Sequence, residues 1–198
     1  MNFSTRDRLI QAASRLFAEN GYRGASVRDI CNHAGANPGA ISYHFGGKRQ
    51  LYRTVLRQAA AGLAELGPTP DAEPDDLEPV GLLTAVRRVF AHMEEDDTAF
   101  RLLLRDLADG GAMAVESLAP PLHSAFEVLA TALGHSDNPG TSTEGRLLLL
   151  ELAAPLFLLT AAWPVLARAL DLGPEQRQPL LDEMITRTLG AHGRDELL

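Results

Sequence analysis

Polar and basic side chains are concentrated between residues 28 and 48, where their types suit binding to a polyanion. The segment carries Arg28, Asn37, Ser42, Tyr43, His44 and Lys48, with the small residues Gly39 and Ala40 among them. Cationic, amide and hydroxyl groups donate hydrogen bonds to phosphate oxygens and to base edges, and small residues allow a close approach. Arg28 can reach a phosphate or a guanine edge, whereas Tyr43, His44 and Lys48 can donate to phosphates on one strand. The alternative for His44 is a histidine that is simply exposed. The segment predicts a nucleic-acid contact surface.

The other residues with reactive side chains do not form a recognisable site. The C-terminal part contains His92, His123, His135 and His192, but none of them forms an H-x3-H pair or has a cysteine neighbour, so we expect no metal and no cofactor. Cys31 lies on the apolar face of a short predicted helix, which favours a core residue over a redox sensor. No Ser/His/Asp order, glycine-rich phosphate loop or paired His/carboxylate spacing is visible. A small helical enzyme is therefore the weaker alternative, and we expect no enzyme activity.

Capping signals predict the helices that hold the polar segment. Ser4 with Asp7 begins a first helix, which Gly21 ends, and Ser26 with Asp29 begins a second. The second helix is short and stops at residue 35, where a glycine follows its last apolar position.

The third helix follows after a tight turn. Asn37 caps it and Pro38 occupies its first position, where the missing N–H costs nothing. Two short helices joined by a glycine-containing turn at 34–37 form a helix-turn-helix, whose second helix presents its N-terminal residues to the major groove of DNA. Gly46 and Gly47 then precede a longer helix over 48–66, whose N-terminus suits a phosphate.

Charge is divided unequally along the chain. The formal net charge is −8, yet residues 1–66 carry nine Arg or Lys against four Asp or Glu, a charge of +5, which leaves −13 for the remainder. One part is therefore suited to meet a polyanion and the other repels it, although charge alone does not identify the partner. Residues 67–79 contain four prolines and five acidic residues, a composition that predicts a linker or an acidic loop.

The composition is that of a globular chain that folds in a reducing compartment. Hydrophobic residues make up 45% and charged residues 22%, as in ordinary folded domains, and a single cysteine excludes an intramolecular disulfide. Residues 1–7 lack the pattern of a signal peptide. The most apolar stretch, 147–159, is too short for a membrane span and includes Glu151 and Pro155, so it predicts a buried helix. We expect a cytoplasmic protein with no membrane partner.

The segment from Thr5 to Leu56 resembles the DNA-binding domain of the TetR family of repressors. The matching motifs are R-x-x-L-I-x-A-A-x-x-L-F-A-E-x-G-Y-x-G at 6–24, S-V-R-D-I at 26–30, A-G-A-N-P-G-A-I-S-Y-H-F at 34–45 and K-x-x-L-Y at 48–52. The resemblance implies an all-helical homodimer that has a helix-turn-helix domain at 3–65 and an effector-binding and dimerisation domain at 66–198. It also implies repression that an effector relieves, with activation as the open alternative. Ser42 stands where the family often has a larger residue, so we expect few base contacts and partly indirect specificity.

The sequence of the C-terminal part predicts helices throughout. Helices are predicted at roughly 80–94, 97–108, 121–133, 143–162 and 175–190, with breaks at Gly110-Gly111, Pro120-Pro121, 134–142, Trp163-Pro164 and Gly173-Pro174. The helices at 143–162 and 175–190 are more apolar than one small domain should expose, which predicts the dimer interface. The segment at 99–111 has the sequence AFRLLLRDLADGG and is followed by a predicted helix that begins with proline. It resembles the CerR-type subgroup of the family.

An effector pocket is predicted from aromatic and charged residues of this part. Its candidate walls are Phe90, Met93, Phe100, Phe126 and Trp163, which suit an apolar or amphipathic small molecule. Arg105 or Glu151 would fix a polar end, and the alternative is that both form structural ion pairs. A further alternative for the whole chain is a helical adaptor that has lost DNA binding. Arg28, Tyr43 and Lys48 argue against it, as does His44, because a protein-binding face does not need these phosphate-contact residues.

Overall fold

The computed structural model of the protein describes residues 3–66, 79–111 and 158–192, together with positions 113, 115–117, 119–120, 123, 147, 150–151 and 154–155. Every regular element in these ranges is helical, which confirms the predicted fold class. The α-helices are α1 (Thr5–Gly24), α2 (Val27–Ala34), α3 (Gly39–Phe45), α4 (Lys48–Ala64), α5 (Pro79–Glu95), α6 (Thr98–Ala108), α7 (Trp163–Leu170) and α8 (Arg177–His192), and a 3-10 turn spans Pro174–Gln176. No helix in the described part of the chain is both long and apolar enough to cross a membrane.

Helix α1 begins as predicted and bends where it was predicted to end. The Ser4 hydroxyl oxygen accepts a hydrogen bond from the Asp7 amide, and the Asp7 carboxylate accepts one from the Ser4 amide, which completes the capping box. Gly21 has φ +70°, a left-handed conformation in which an L side chain is strained, and it interrupts the helix. One further helical turn follows, so α1 reaches Gly24 rather than stopping at Gly21.

The contacts divide the chain into two compact units, each with its own core. Unit 1 comprises Met1–Leu63 and Asp96–Pro121, and unit 2 comprises Ala64–Glu95 and Leu122–Leu198. Unit 1 thus takes α6 from the part that the sequence analysis assigned to the C-terminal domain. The predicted boundary between residues 65 and 66 stays a prediction.

The core of unit 1 is built from the inward faces of α1, α2, α3, α4 and α6. Its most buried members, each no more than 1% exposed, are Leu9, Ala13, Phe17, Ala25, Ile30, Cys31, Ile41, Leu51, Val55, Leu56 and Leu102. Burying an aliphatic side chain of this size stabilises the fold by roughly 1.5–3 kcal/mol, so the core fixes how these helices pack. Cys31 lies within it, as predicted, and burial raises the pKa of its thiol.

Unit 2 has a smaller described core in which α5 and α8 pack together. Phe90, Leu159, Leu181 and Ile185 are its buried residues. The helix breaks at Ala162, next to the predicted break, and Trp163-Pro164 begins α7, which the sequence analysis did not predict. Proline suits the first helical positions because the N–H that it lacks would have no partner there. The predicted linker at 67–79 and helix at 121–133 lie almost wholly outside the described residues, and the helix at 143–162 is described only in part.

Candidate nucleic-acid interface

Helices α2 and α3 form a helix-turn-helix whose turn depends on one glycine. Gly35 follows α2 with φ +59°, a left-handed conformation that glycine adopts without steric cost. The next amide, of Ala36, donates to the Cys31 carbonyl at 2.9 Å and so satisfies the end of α2. Asn37 then accepts a hydrogen bond from the Gly39 amide on its Oδ1 at 2.9 Å. Asn37 therefore supports the start of α3 as predicted, although the first helical residue is Gly39.

Helix α3 has one buried and one exposed face. Ile41 is 1% exposed and Phe45 is half-buried, so these two residues hold the helix on the core. Tyr43, on the other side, is 85% exposed, an unusual position for a large aromatic ring. The His44 ring packs edge-on against Tyr43 with centroids 4.9 Å apart. The exposed face thus presents a hydroxyl and an imidazole side by side.

The eight predicted DNA-contact residues lie on α2, in the turn after it, on α3 and at the start of α4. Arg28, Asn37, Gly39, Ser42 and Tyr43 are exposed, and Ala40, His44 and Lys48 are half-buried. The first turn of α4 contains no acidic residue, and Lys48 is followed by Arg49 and Arg53. The unpaired amides of a helix start carry partial positive charge, so this end of α4 adds to the positive potential.

Two arginines of α1 that the sequence analysis did not single out fix this arrangement. Arg8 donates from Nε to the Ala34 carbonyl at 3.0 Å, which ties α1 to the end of α2. The Arg6 guanidinium lies 5.4 Å from the centre of the Phe45 ring, at the end of α3. Both contacts join residues more than 25 positions apart, so no local sequence signal predicts them.

Tyr22 is a further residue that the sequence analysis missed. The Lys48 ammonium lies 4.5 Å from the centre of the Tyr22 ring, and burial lowers the pKa of Lys48. The Tyr22 ring in turn contacts the ring of Tyr52, with centroids 5.0 Å apart. Lys48 is thus placed by an aromatic surface.

Helix α6 is joined to this aromatic group from the other side. The Tyr52 hydroxyl is hydrogen-bonded to the carboxyl of Asp106 on α6, and burial, with this carboxyl beside it, raises the pKa of Tyr52. Asp106 itself is only 7% exposed. Arg105, the neighbouring residue, donates from Nη1 to the Ala18 carbonyl at 2.9 Å and to the Glu19 carbonyl. These carbonyls lie just before the bend of α1, so Arg105 supports the bend.

The other predicted effector residues are dispersed. Phe90, Met93 and Trp163 lie in unit 2, where Phe90 and Met93 are buried and Trp163 is half-buried. Phe100 is half-buried in unit 1, Glu151 is exposed, and Phe126 lies outside the described residues.

In unit 2, the rings of Phe90 and Trp163 are brought together by a residue that the sequence analysis did not consider. The guanidinium of Arg177 lies 5.0 Å from the centre of the first ring and 5.6 Å from the second. Its Nε donates to the Leu159 carbonyl and its Nη1 to the Glu94 carboxylate at 2.9 Å.

A cleft of about 350 Å³ opens in unit 1 between α1, α4 and the start of α6. It is lined by Ile10, Gln11, Ser14, Arg15, Val55, Gln58, Ala59, Asp96, Thr98, Ala99 and Leu102. None of the residues predicted for the effector pocket is among them.

Comparison with known proteins agrees with this geometry. Residues 9–55 match the family model of bacterial regulatory proteins, tetR family. The transcriptional repressor AcnR of Corynebacterium glutamicum is 30% identical over 162 residues, which cover 72% of this chain and 86% of that protein. The repressor KstR2 of Mycolicibacterium smegmatis is 43% identical over 54 residues, about a quarter of either chain.

Solved structures share the fold along nearly the whole chain. A transcriptional regulator from Rhodococcus sp. Rha1 superposes with a TM-score of 0.68 at 24% identity and covers 95% of this chain and 97% of that one. The fatty acid degradation regulator FadR of Bacillus halodurans gives the same TM-score at 18% identity, covering 96% and 97%.

Proposed function

Because the chain belongs to the TetR family of bacterial transcriptional regulators, we propose that it is a repressor that binds a near-palindromic DNA operator as a homodimer. The observation that carries the proposal is the α2–α3 pair, in which a buried Ile41 holds a helix whose other face exposes Tyr43. The name of the relative AcnR, a repressor, supports repression as the direction of control. The proposed function requires a cytoplasmic location.

We assign the DNA contacts by the chemistry of each side chain. Tyr43, His44 and Lys48 donate to phosphates, and Arg28 reaches a phosphate or a guanine edge. The start of α3 enters the major groove with Asn37, Gly39, Ala40 and Ser42. Since these are small or have few donors, sequence-dependent DNA shape supplies part of the specificity.

We place the dimer interface on unit 2, as the sequence predicts. Among the described residues of this unit, the large aliphatic side chains with at least 39% exposure are Leu147, Leu150, Leu158, Val165 and Leu170. If these side chains form a continuous surface, they are suited to pairing with a second copy of the chain. A homodimer of this family type would contact two half-sites centred about one DNA turn apart, or slightly more.

We also propose that an apolar or amphipathic effector controls the repressor through its C-terminal domain, residues 66–198. Phe90, Met93 and Trp163 of unit 2 remain its candidate walls, and the assignments of Phe100 and Phe126 stay predictions of the sequence. The assignment of Arg105 or Glu151 to a polar end stays a prediction of the sequence. Such an effector would have to bind the DNA-incompetent state more tightly, because only differential affinity shifts the equilibrium. The CerR-type subgroup also stays a prediction.

Selection of bound sequences from a random DNA pool tests the proposed function. We expect enrichment of a two-fold symmetric site whose half-sites are centred about 10 base pairs apart or slightly more. The full-length Lys48→Ala protein should enrich the same sequence with a weaker yield, because a phosphate contact carries no sequence information. A pool that shows no enrichment would contradict the proposal and favour the helical adaptor.

A further inference from the structure

Lys48 is held by an aromatic ring instead of a carboxylate. Its ammonium lies 4.5 Å from the centre of the Tyr22 ring, and the first turn of α4 contains no acidic residue. The negative face of an aromatic ring attracts a cation electrostatically but carries no net charge. Lys48 thereby keeps its full charge for an external anion, whereas a carboxylate partner would compete with that anion.

The Tyr22 ring is itself held in place by two buried aromatic rings. It stacks on Phe17 with centroids 6.2 Å apart and contacts Tyr52 at 5.0 Å, and Phe17 and Tyr52 are no more than 2% exposed. Phe17 and Tyr52 meet edge-to-face at 4.8 Å. Two buried rings that contact each other form a rigid support, so Tyr22 has little freedom to turn away.

The bend of α1 gives Tyr22 its direction. Gly21, with φ +70°, precedes it, and Arg105 donates to the Ala18 and Glu19 carbonyls just before the bend. The ring of Tyr52, on α4, is the second support. Its hydroxyl is hydrogen-bonded to Asp106, and this bond ties the ring to α6. The position of the ring under Lys48 is therefore set by α1, α4 and α6 together.

We propose that Tyr22 is a positioning residue for DNA binding, whose ring holds the Lys48 ammonium at the start of α4 ready to meet a phosphate. The proposal rests on the proposed function and assigns it a residue that does not itself need to contact DNA. A lysine side chain is long and flexible, and binding a phosphate normally restricts it. Holding the side chain in place before binding removes part of that entropic cost.

A double-mutant cycle tests the proposal with the full-length protein and its selected operator duplex. Tyr22→Leu removes the ring, Tyr22→Phe retains it as the matched control, and Lys48→Ala removes the cation. From the strength of an exposed cation–π contact, we expect Tyr22→Leu to raise Kd by about two- to fivefold per subunit. Tyr22→Phe should bind nearly as the wild type does. In the Lys48→Ala background, Tyr22→Leu should have little further effect.

The outcomes separate the proposal from its premise. If Tyr22→Leu weakens binding equally with and without Lys48, Tyr22 acts through general structure and the proposal is wrong. Tighter binding by Tyr22→Leu would overturn it too, since the ring would then withhold Lys48 from DNA. If Lys48→Ala leaves both Kd and its salt dependence unchanged, the phosphate contact itself fails, and the proposed role of Lys48 falls with it.

A second measurement does not depend on the folding of any Tyr22 variant. In the wild-type protein, the ring current of Tyr22 should shift the ε-methylene protons of Lys48 upfield in the NMR spectrum, and loss of the signal in Lys48→Ala assigns it. Lys48 protons at the positions of a solvated lysine would contradict the proposal.

Discussion

At the scale of single residues, the candidate interface combines exposed donors with buried supports. Tyr43 is 85% exposed and open to a partner, whereas Tyr52, nine residues further along, is 2% exposed and hydrogen-bonded to Asp106. The same residue type is thus proposed to contact DNA at one position and stabilises the core at the other. Burial decides which of the two it does.

The buried hydroxyl of Tyr52 predicts a measurable loss of stability. Tyr52→Phe removes a hydrogen bond to a carboxyl group that is itself buried, and bonds to charged groups contribute about 1.5–3 kcal/mol. Urea unfolding should therefore show a loss of that order in Tyr52→Phe. The matched control, Tyr43→Phe, alters an exposed hydroxyl and should change the free energy of unfolding by less than about 0.5 kcal/mol. Equal stability of the two variants would contradict the assigned hydrogen bond.

At the scale of elements, caps and turns govern where each helix starts and stops. Ser4, Ser26 and Asn37 all accept amide hydrogen bonds two or three residues on, as their sequence pattern predicts. Two glycines differ in whether their backbone conformation requires glycine. Gly21 requires a left-handed conformation, and Gly62 lies inside α4 with no atom within 4 Å of an added Cβ.

This contrast predicts opposite effects of the same substitution. Gly21→Ala should destabilise the protein by about 1–2 kcal/mol, because alanine is strained at φ +70°. Gly62→Ala should stabilise it by about 0.5–1 kcal/mol, because alanine loses less entropy in a helix. Thermal unfolding of both variants beside the wild type measures the difference, and a neutral or stabilising Gly21→Ala would refute the assigned conformation.

Local sequence signals predicted α1 to α4 and the helix-turn-helix, whereas contacts between residues far apart in the sequence could not be predicted. A cap involves residues two or three positions apart, so the sequence displays it directly. The contact of Arg105 with Ala18 spans 87 positions and that of Tyr22 with Lys48 spans 26, and neither has a periodic pattern. Arg105 was predicted as an effector contact from its apolar surroundings in sequence, yet its guanidinium binds carbonyls of α1. Pro164 marks the predicted break, but the helix α7 that begins there was not predicted, because a proline signals a helix start as well as an end.

At the scale of the whole molecule, the exposed aliphatic side chains of unit 2 predict a homodimer. Sedimentation at micromolar concentration should give about twice the chain mass of 21.3 kDa. Leu150→Glu places a charge on a 65% exposed residue of the predicted interface and should yield monomers. Val115→Glu, at a 57% exposed residue of unit 1, should remain dimeric. A wild-type monomer at this concentration would rule out the two-fold operator.

The central claim is that the exposed face of α3 binds DNA, and one pair of variants tests it most directly. Tyr43→Glu and Val115→Glu make the same charge change at exposed positions of unit 1, and fluorescence anisotropy measures Kd for the selected operator. We predict that Tyr43→Glu raises Kd by about a hundredfold, roughly 1.4 kcal/mol per subunit, because it sets a carboxylate against phosphates. Val115→Glu should bind as the wild type does. Equal affinity of both variants for the operator would contradict the claim.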